Sequence, residues 1–290
     1  MVKYDSKKLI SMSAVLGEGP LWNASEKRLF YVDIERHSIL CYREEGGLLS
    51  RTVPDRVGCI VPAGKGKLVA GVTDRLVLAD PETGEKRELV RLDLPAGIRF
   101  NDGKCDARGR LWIGTMAVDQ SAPYAKTCGA LYRIEAGRKP VKVLDGMAIP
   151  NGLAWSADNR TFYHIDTASG AVRAYPFDLE SGTLGEGKAV VTIPKGEGGP
   201  DGMCIDAEGM LWIAVWGGRK VVRCNPATGE RLAEVAVDAL NVSCCCFGGE
   251  NLDTLYITTA RDEAGKGGEV FFVKTGVKGT LPYPFKLSNI

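Results

Sequence analysis

The chain has 290 residues, 44% of them apolar and 25% charged, and a formal net charge of +1. That length and apolar share suffice for a large buried core, and with no basic stripe or arm a nucleic-acid partner has no electrostatic support. No apolar run approaches the roughly 20 residues that a membrane-spanning helix needs.

Residues 1–11 are polar and lysine-bearing and lack the apolar stretch of a secretory signal. Nine cysteines, an odd number, show no paired CxxC spacing of a zinc module. Three are consecutive, Cys244, Cys245 and Cys246. They read as small buried side chains in a reducing compartment, so a cytoplasmic location is expected. The two histidines, His37 and His164, are too few for a histidine-rich metal site. His164 reads as a structural, hydrogen-bonded core residue.

Taken in chain order, the first predicted strand lies in KLISMSAVL, residues 8–16. A recurring unit follows: a polar residue, a strand, a turn, then an apolar-aromatic strand. It reads EGPLWNASEKRLFYVDI from Glu18, NDGKCDARGRLWIGTM from Asn101, NGLAWSADNRTFYHIDT from Asn151 and DGMCIDAEGMLWIAVW from Asp201. Two weaker copies start at Cys59 and Ser243. Intervals of about 40 to 50 residues match a four-stranded propeller blade. Asp106-Ala-Arg-Gly109 and Asp206-Ala-Glu-Gly209 have hairpin-turn chemistry, and the strands after them are rich in Leu, Trp, Ile and Val. Third and fourth strands follow, such as residues 221–224 and 232–237.

Six copies predict an all-β, six-bladed β-propeller. The sixth copy lacks a fourth strand, which residues 8–16 are expected to supply, closing the ring and protecting its edges. With no linker in sight, residues 1–290 read as one domain.

Innermost strands line a propeller's channel, so equivalent positions face one another across it. Glu18, Asn101, Asn151 and Asp201 are then polar residues converging on one axis, an oxygen-donor set suited to a hard divalent cation. Spacing alone leaves a second reading open, because Asn-Gly and Asp-Gly are also common turn dipeptides.

The segments GEGPLW (17–22), RFNDGKCDARGRLWIGTM (99–116), IPNGLAWSADNRTFYHIDT (149–167), PDGMCIDAEGMLWIAVWGG (200–218) and CCFGG (245–249) closely resemble the regucalcin/gluconolactonase, or senescence-marker-protein, family. The resemblance implies a six-bladed propeller that hydrolyses sugar lactones with one divalent cation: Ca²⁺, Zn²⁺, Mn²⁺ or Mg²⁺. Carried over position by position, it implies metal ligands at Glu18, Asn151 and Asp201; Asp201 is also the residue expected to act as general base on the attacking water. It implies substrate contacts at Arg99 and Asn101. A further sugar contact, glutamate in animal members, falls on Asp119, one methylene shorter. The surrounding loop, AVDQSAPYAKT, reads as a partial lid. The expected partner is a small sugar lactone, with no nucleic acid and no membrane. Two alternatives remain: action on organophosphates or other esters, and a calcium-binding propeller without catalysis.

Overall fold

The computed structural model describes residues 1–287; residues 288–290, part of the expected domain, lie outside them. Six sheets, antiparallel but for one added edge strand, form the predicted six-bladed β-propeller. Their innermost strands are Gly17–Asn23, Val57–Pro62, Ile98–Cys105, Pro150–Trp155, Gly199–Ile205 and Asn241–Gly248. Each packs against the next around the ring, and Asn241–Gly248 packs back on Gly17–Asn23. Among the described residues no helix is long and apolar enough to cross a membrane.

Burial follows the layering. The second strands, such as Leu111–Ala117 and Leu211–Trp216, are almost wholly buried, while outer strands such as Lys86–Arg91 and Val141–Met147 face water. Apolar clusters fill the spaces between neighbouring sheets. Trp112, Trp155 and Trp212 lie in this core, as expected. Turn aspartates pin two of them. The Trp112 indole N–H donates to Asp106 Oδ2 at 2.8 Å and that of Trp212 to Asp206 Oδ2 at 2.9 Å. The other oxygen of each aspartate accepts backbone N–H groups of its own turn.

The ring closes through the N-terminal segment, with boundaries that differ from expectation. Lys7–Ile10, rather than all of 8–16, is the fourth strand of the sixth sheet, antiparallel to Val270–Lys274. Val2–Asp5, not anticipated, runs parallel to Arg231–Ala236 as a fifth strand of the fifth sheet. At the far end of the channel the C-terminal tail crosses beneath several sheets. Gly279 N–H donates to Leu252, Phe285 N–H to Pro62 and Lys286 N–H to Gly109.

All six innermost strands carry a β-bulge near their start. Bulges re-aim side chains next to functional sites. The bulges of the second and sixth sheets follow Val57 and Val242. These apolar residues, rather than Cys59 and Ser243, therefore take the place of Glu18 and Asn151. Asn151-Gly152 and Asp201-Gly202 lie inside these strands, not in turns. Their glycines serve close approach. A Cβ on Gly152 would come within 2.8 Å of the Asp201 carbonyl oxygen, and one on Gly202 within 2.2 Å of Cys244 Sγ.

Candidate active site

The bulges bring Glu18, Arg99, Asn101, Asn151 and Asp201 to one end of the channel, each buried. A hydrogen-bond chain runs through three of them. Arg99 Nη1 donates to Asn101 Oδ1 at 2.8 Å and to the Phe100 carbonyl at 2.8 Å. Asn101 Nδ2 donates to Asn151 Oδ1 at 2.8 Å and to the Pro150 carbonyl at 2.9 Å. Asn151 Nδ2 donates to Thr167 Oγ1 at 2.8 Å. Each amide is thereby fixed in orientation by partners on two sides.

Burial dominates the electrostatics. It pushes the Glu18 carboxyl up to about 8, helped by the nearby Asp102 charge and opposed by the Gly19 N–H and by Arg99. Burial and the Glu18 and Asp102 charges raise Asp201 well above the usual carboxylate range. Burial also lowers Arg99 to about 10. Low dielectric and mutual repulsion thus outweigh the nearby Arg99 charge and push both carboxyls toward neutrality.

Asp102 sharpens this point. Its Oδ1 accepts the Gly103 N–H at 2.7 Å, but its buried Oδ2 has no partner. Lys104, on the same strand, sends its ammonium group to the Met203 carbonyl two sheets away. Sequence reasoning passed over Lys104. The available signal was a lysine at a place in the innermost strand where the other strong copies carry Ala154 and Cys204.

No three histidine, cysteine, aspartate or glutamate side chains form a metal cage among the described residues. The Glu18, Asn151 and Asp201 set has two carboxylates and an amide, all oxygen donors, and fits a hard divalent cation in charge and chemistry.

Asp119 stands apart. It is exposed, and its Oδ1 accepts the Ser121 N–H at 2.9 Å and the Ser121 hydroxyl at 2.6 Å, contacts that lower its pKa. The structure does not bring it into the buried network. Its loop does lie at the same end of the third sheet, where Val118 N–H donates to the Gly97 carbonyl, two residues before Arg99. Ala125 anchors the loop against Ile98 and Ala117, and Tyr124 is exposed. His164 is only partly satisfied: Nδ1 lies 3.3 Å from the Gly152 carbonyl and Nε2 has no partner.

The family model for the SMP-30/Gluconolactonase/LRE-like region matches residues 16–261. Regucalcin of Danio rerio is 36% identical over 286 residues, covering 93% of this chain and 94% of that protein. A Bacillus subtilis protein, provisionally named sugar lactone lactonase YvrE, is 34% identical over 283 residues, covering 94% and 95%. Among solved structures, a calcium-binding protein, regucalcin, from Agrobacterium tumefaciens superposes with a TM-score of 0.90 at 27% identity, over 99% of this chain and 100% of that one. A luciferin-regenerating enzyme gives 0.91 at 30%, over 97% and 99%. The chain belongs to the SMP-30/gluconolactonase/LRE-like family.

Proposed function

We propose that this protein is a metal-dependent hydrolase that opens sugar lactones to aldonic acids. The observation that carries the reading is the pair of buried, mutually repelling carboxylates, Glu18 and Asp201, beside the ordered Arg99–Asn101–Asn151 chain. A scaffold has no need of such an arrangement.

Glu18, Asn151 and Asp201 would hold one divalent cation, among Ca²⁺, Zn²⁺, Mn²⁺ and Mg²⁺. The chemistry it supplies when bound is Lewis acidity toward the lactone carbonyl and a lowered pKa for water. Asp201 is the general base, taking the proton of the attacking water. Arg99 spends one nitrogen on Asn101 and Phe100; its other N–H groups serve the oxyanion that develops on the carbonyl. Asn101 positions Arg99 and meets the sugar ring. Asp119 accepts hydroxyl hydrogens from its loop. In this reading residues 1–290 act as one cytoplasmic domain whose partner is the lactone, with no nucleic acid and no membrane.

A second reading, cation binding without catalysis, draws on the calcium-binding description of the Agrobacterium relative. One experiment separates the two: metal-stripped protein, reloaded with each cation, is assayed on a panel of sugar lactones beside Asp201→Asn. Turnover that vanishes on stripping, returns on loading, and drops about 10²–10⁴-fold in Asp201→Asn supports the hydrolase. A wild-type rate in that variant would sink the base assignment. Cation binding with no turnover of any lactone would leave the second reading.

A further inference from the structure

The far half of the channel holds chemistry that lactone opening does not use. A cavity of about 160 Å³ lies there, lined by Trp22, Trp155, Phe247 and Lys104, with Tyr283 of the C-terminal tail below. Four thiols, Cys105, Cys204, Cys244 and Cys246, also line it. Cys204, on the fifth innermost strand, is half-buried. Cys245, on the sixth, points the other way from Cys244 and Cys246, because side chains alternate along a strand. It is fully buried in the seam between the two sheets. There its Sγ donates to the Trp212 carbonyl at 3.4 Å and lies 3.7 Å from Cys204 Sγ.

Cys204 is thus a thiol with one side on a cavity and the other on a second thiol. We propose that Cys204 and Cys245 are an oxidisable pair, which a hydroperoxide reaching the cavity converts into a disulfide stapling the fifth innermost strand to the sixth. The steps balance. The Cys204 sulfur attacks the peroxide O–O bond, giving a sulfenic acid and, from hydrogen peroxide, one water. The Cys245 sulfur then attacks the Cys204 sulfur; the S–O bond breaks, the S–S bond forms, and the Cys245 proton leaves with the hydroxyl as a second water. Two thiols are oxidised by two electrons and one peroxide is reduced.

The order of events follows from access. Cys204 meets the oxidant because it lines the cavity; Cys245 does not, and serves as the resolving thiol. Burial, together with the Cys204 contact, raises the Cys245 thiol well above its usual range, and the thiolate is the nucleophile. Closure is therefore slow and quickens with rising pH. The sulfurs must also approach from 3.7 Å to the roughly 2.05 Å of a disulfide, a movement within reach of side-chain rotation and small strand shifts.

The test uses the whole protein with hydrogen peroxide as the probe. Denatured thiol titration should fall from nine to seven. Non-reducing peptide mapping with fragmentation, needed because Cys244, Cys245 and Cys246 share a peptide, should assign the new bond to Cys204–Cys245. The treated protein should gain thermal stability, and reduction should reverse both changes. Cys204→Ser and Cys245→Ser should each abolish the cross-link, whereas Cys244→Ser and Cys246→Ser should keep it. A cross-link from Cys204 to Cys244 or Cys246, or conversion of Cys204 to sulfinic acid with no cross-link, would overturn the proposal. The mapping uses the unaltered protein, so it decides even if a serine variant folds poorly.

Discussion

Asn101 donates from Nδ2 to Asn151 Oδ1 at 2.8 Å, tying the third innermost strand to the fourth at the channel end. One residue proposed to meet substrate therefore orients one proposed to meet the cation. Removing an outer partner of a metal ligand typically reduces affinity or activity 10–100-fold. Asn101→Ala should weaken cation binding by that factor in calorimetry and lower kcat/KM for lactone opening by at least as much. An unchanged cation affinity would mean the contact is incidental.

Cation binding should displace protons. Without a cation the Glu18 carboxyl sits near 8, so at pH 7 it is mostly protonated, and a cation takes only the ionised form. Affinity should rise at least tenfold per pH unit below pH 8, one factor of ten for each proton displaced from Glu18 and from the likewise raised Asp201, and flatten as each carboxyl ionises. Proton release, read from calorimetry in buffers of different ionisation enthalpy, should fade over the same range.

The metal-free protein should behave oppositely. A folded carboxyl raised from 4.5 to about 8 contributes stability that is full below pH 4.5 and lost as pH climbs through 8. Thermal midpoints of stripped protein should drop between pH 5 and 8 relative to loaded protein. Parallel curves would show that the burial of Glu18 is not coupled to folding.

His164 gives the reverse sign. Burial lowers its pKa from 6.5 to about 4, so below pH 6.5 the unfolded chain binds a proton that the folded one refuses. Its stability contribution is present above 6.5 and falls away toward pH 4, by about 3 kcal/mol in full. Denaturant titrations of His164→Gln, which does not titrate here, should lack that share of the acid slope.

The N-terminal strands divide into two expected effects. Deleting residues 2–5 removes the parallel fifth strand and the Tyr4 hydroxyl bond to Thr275. It should lower stability by about 2 kcal/mol, or roughly 3 °C. Deleting 2–10 also strips the sixth sheet of its outer strand and the buried Ile10, and should at least double the loss. Equal midpoints for the two truncations would show that Lys7–Ile10 carries no load.

The ring is legible in the sequence because the strong copies repeat a polar start, a turn and an aromatic-rich strand at intervals of about 40 to 50 residues, and the missing sixth outer strand points to the N-terminus. Val2–Asp5 is not legible: four polar-flanked residues carry no period, and their pairing with Arg231–Ala236 arises from an exposed edge far away in sequence. The weaker copies slip by one or two residues because the bulge, which aims Val57 and Val242, leaves no mark on composition. At the site, the residues carried by long motifs, Arg99, Asn101 and Asn151, form one hydrogen-bonded chain. The free oxygen of Asp102 and the reach of Lys104 escape notice because spacing says nothing of an unpartnered atom or of an ammonium crossing a channel.

Ring closure also sets an order of assembly. Lys7–Ile10 is made before the six innermost strands, yet its partner, Val270–Lys274, is made after all of them. Five sheets can be complete while those first residues still lack their partner. Contacts so distant along the chain form late and slowly, and until they form the nascent ring carries an open seam. The first ten residues are therefore where a chaperone or a fused tag would act on the yield of folded protein, long after those residues have left the ribosome.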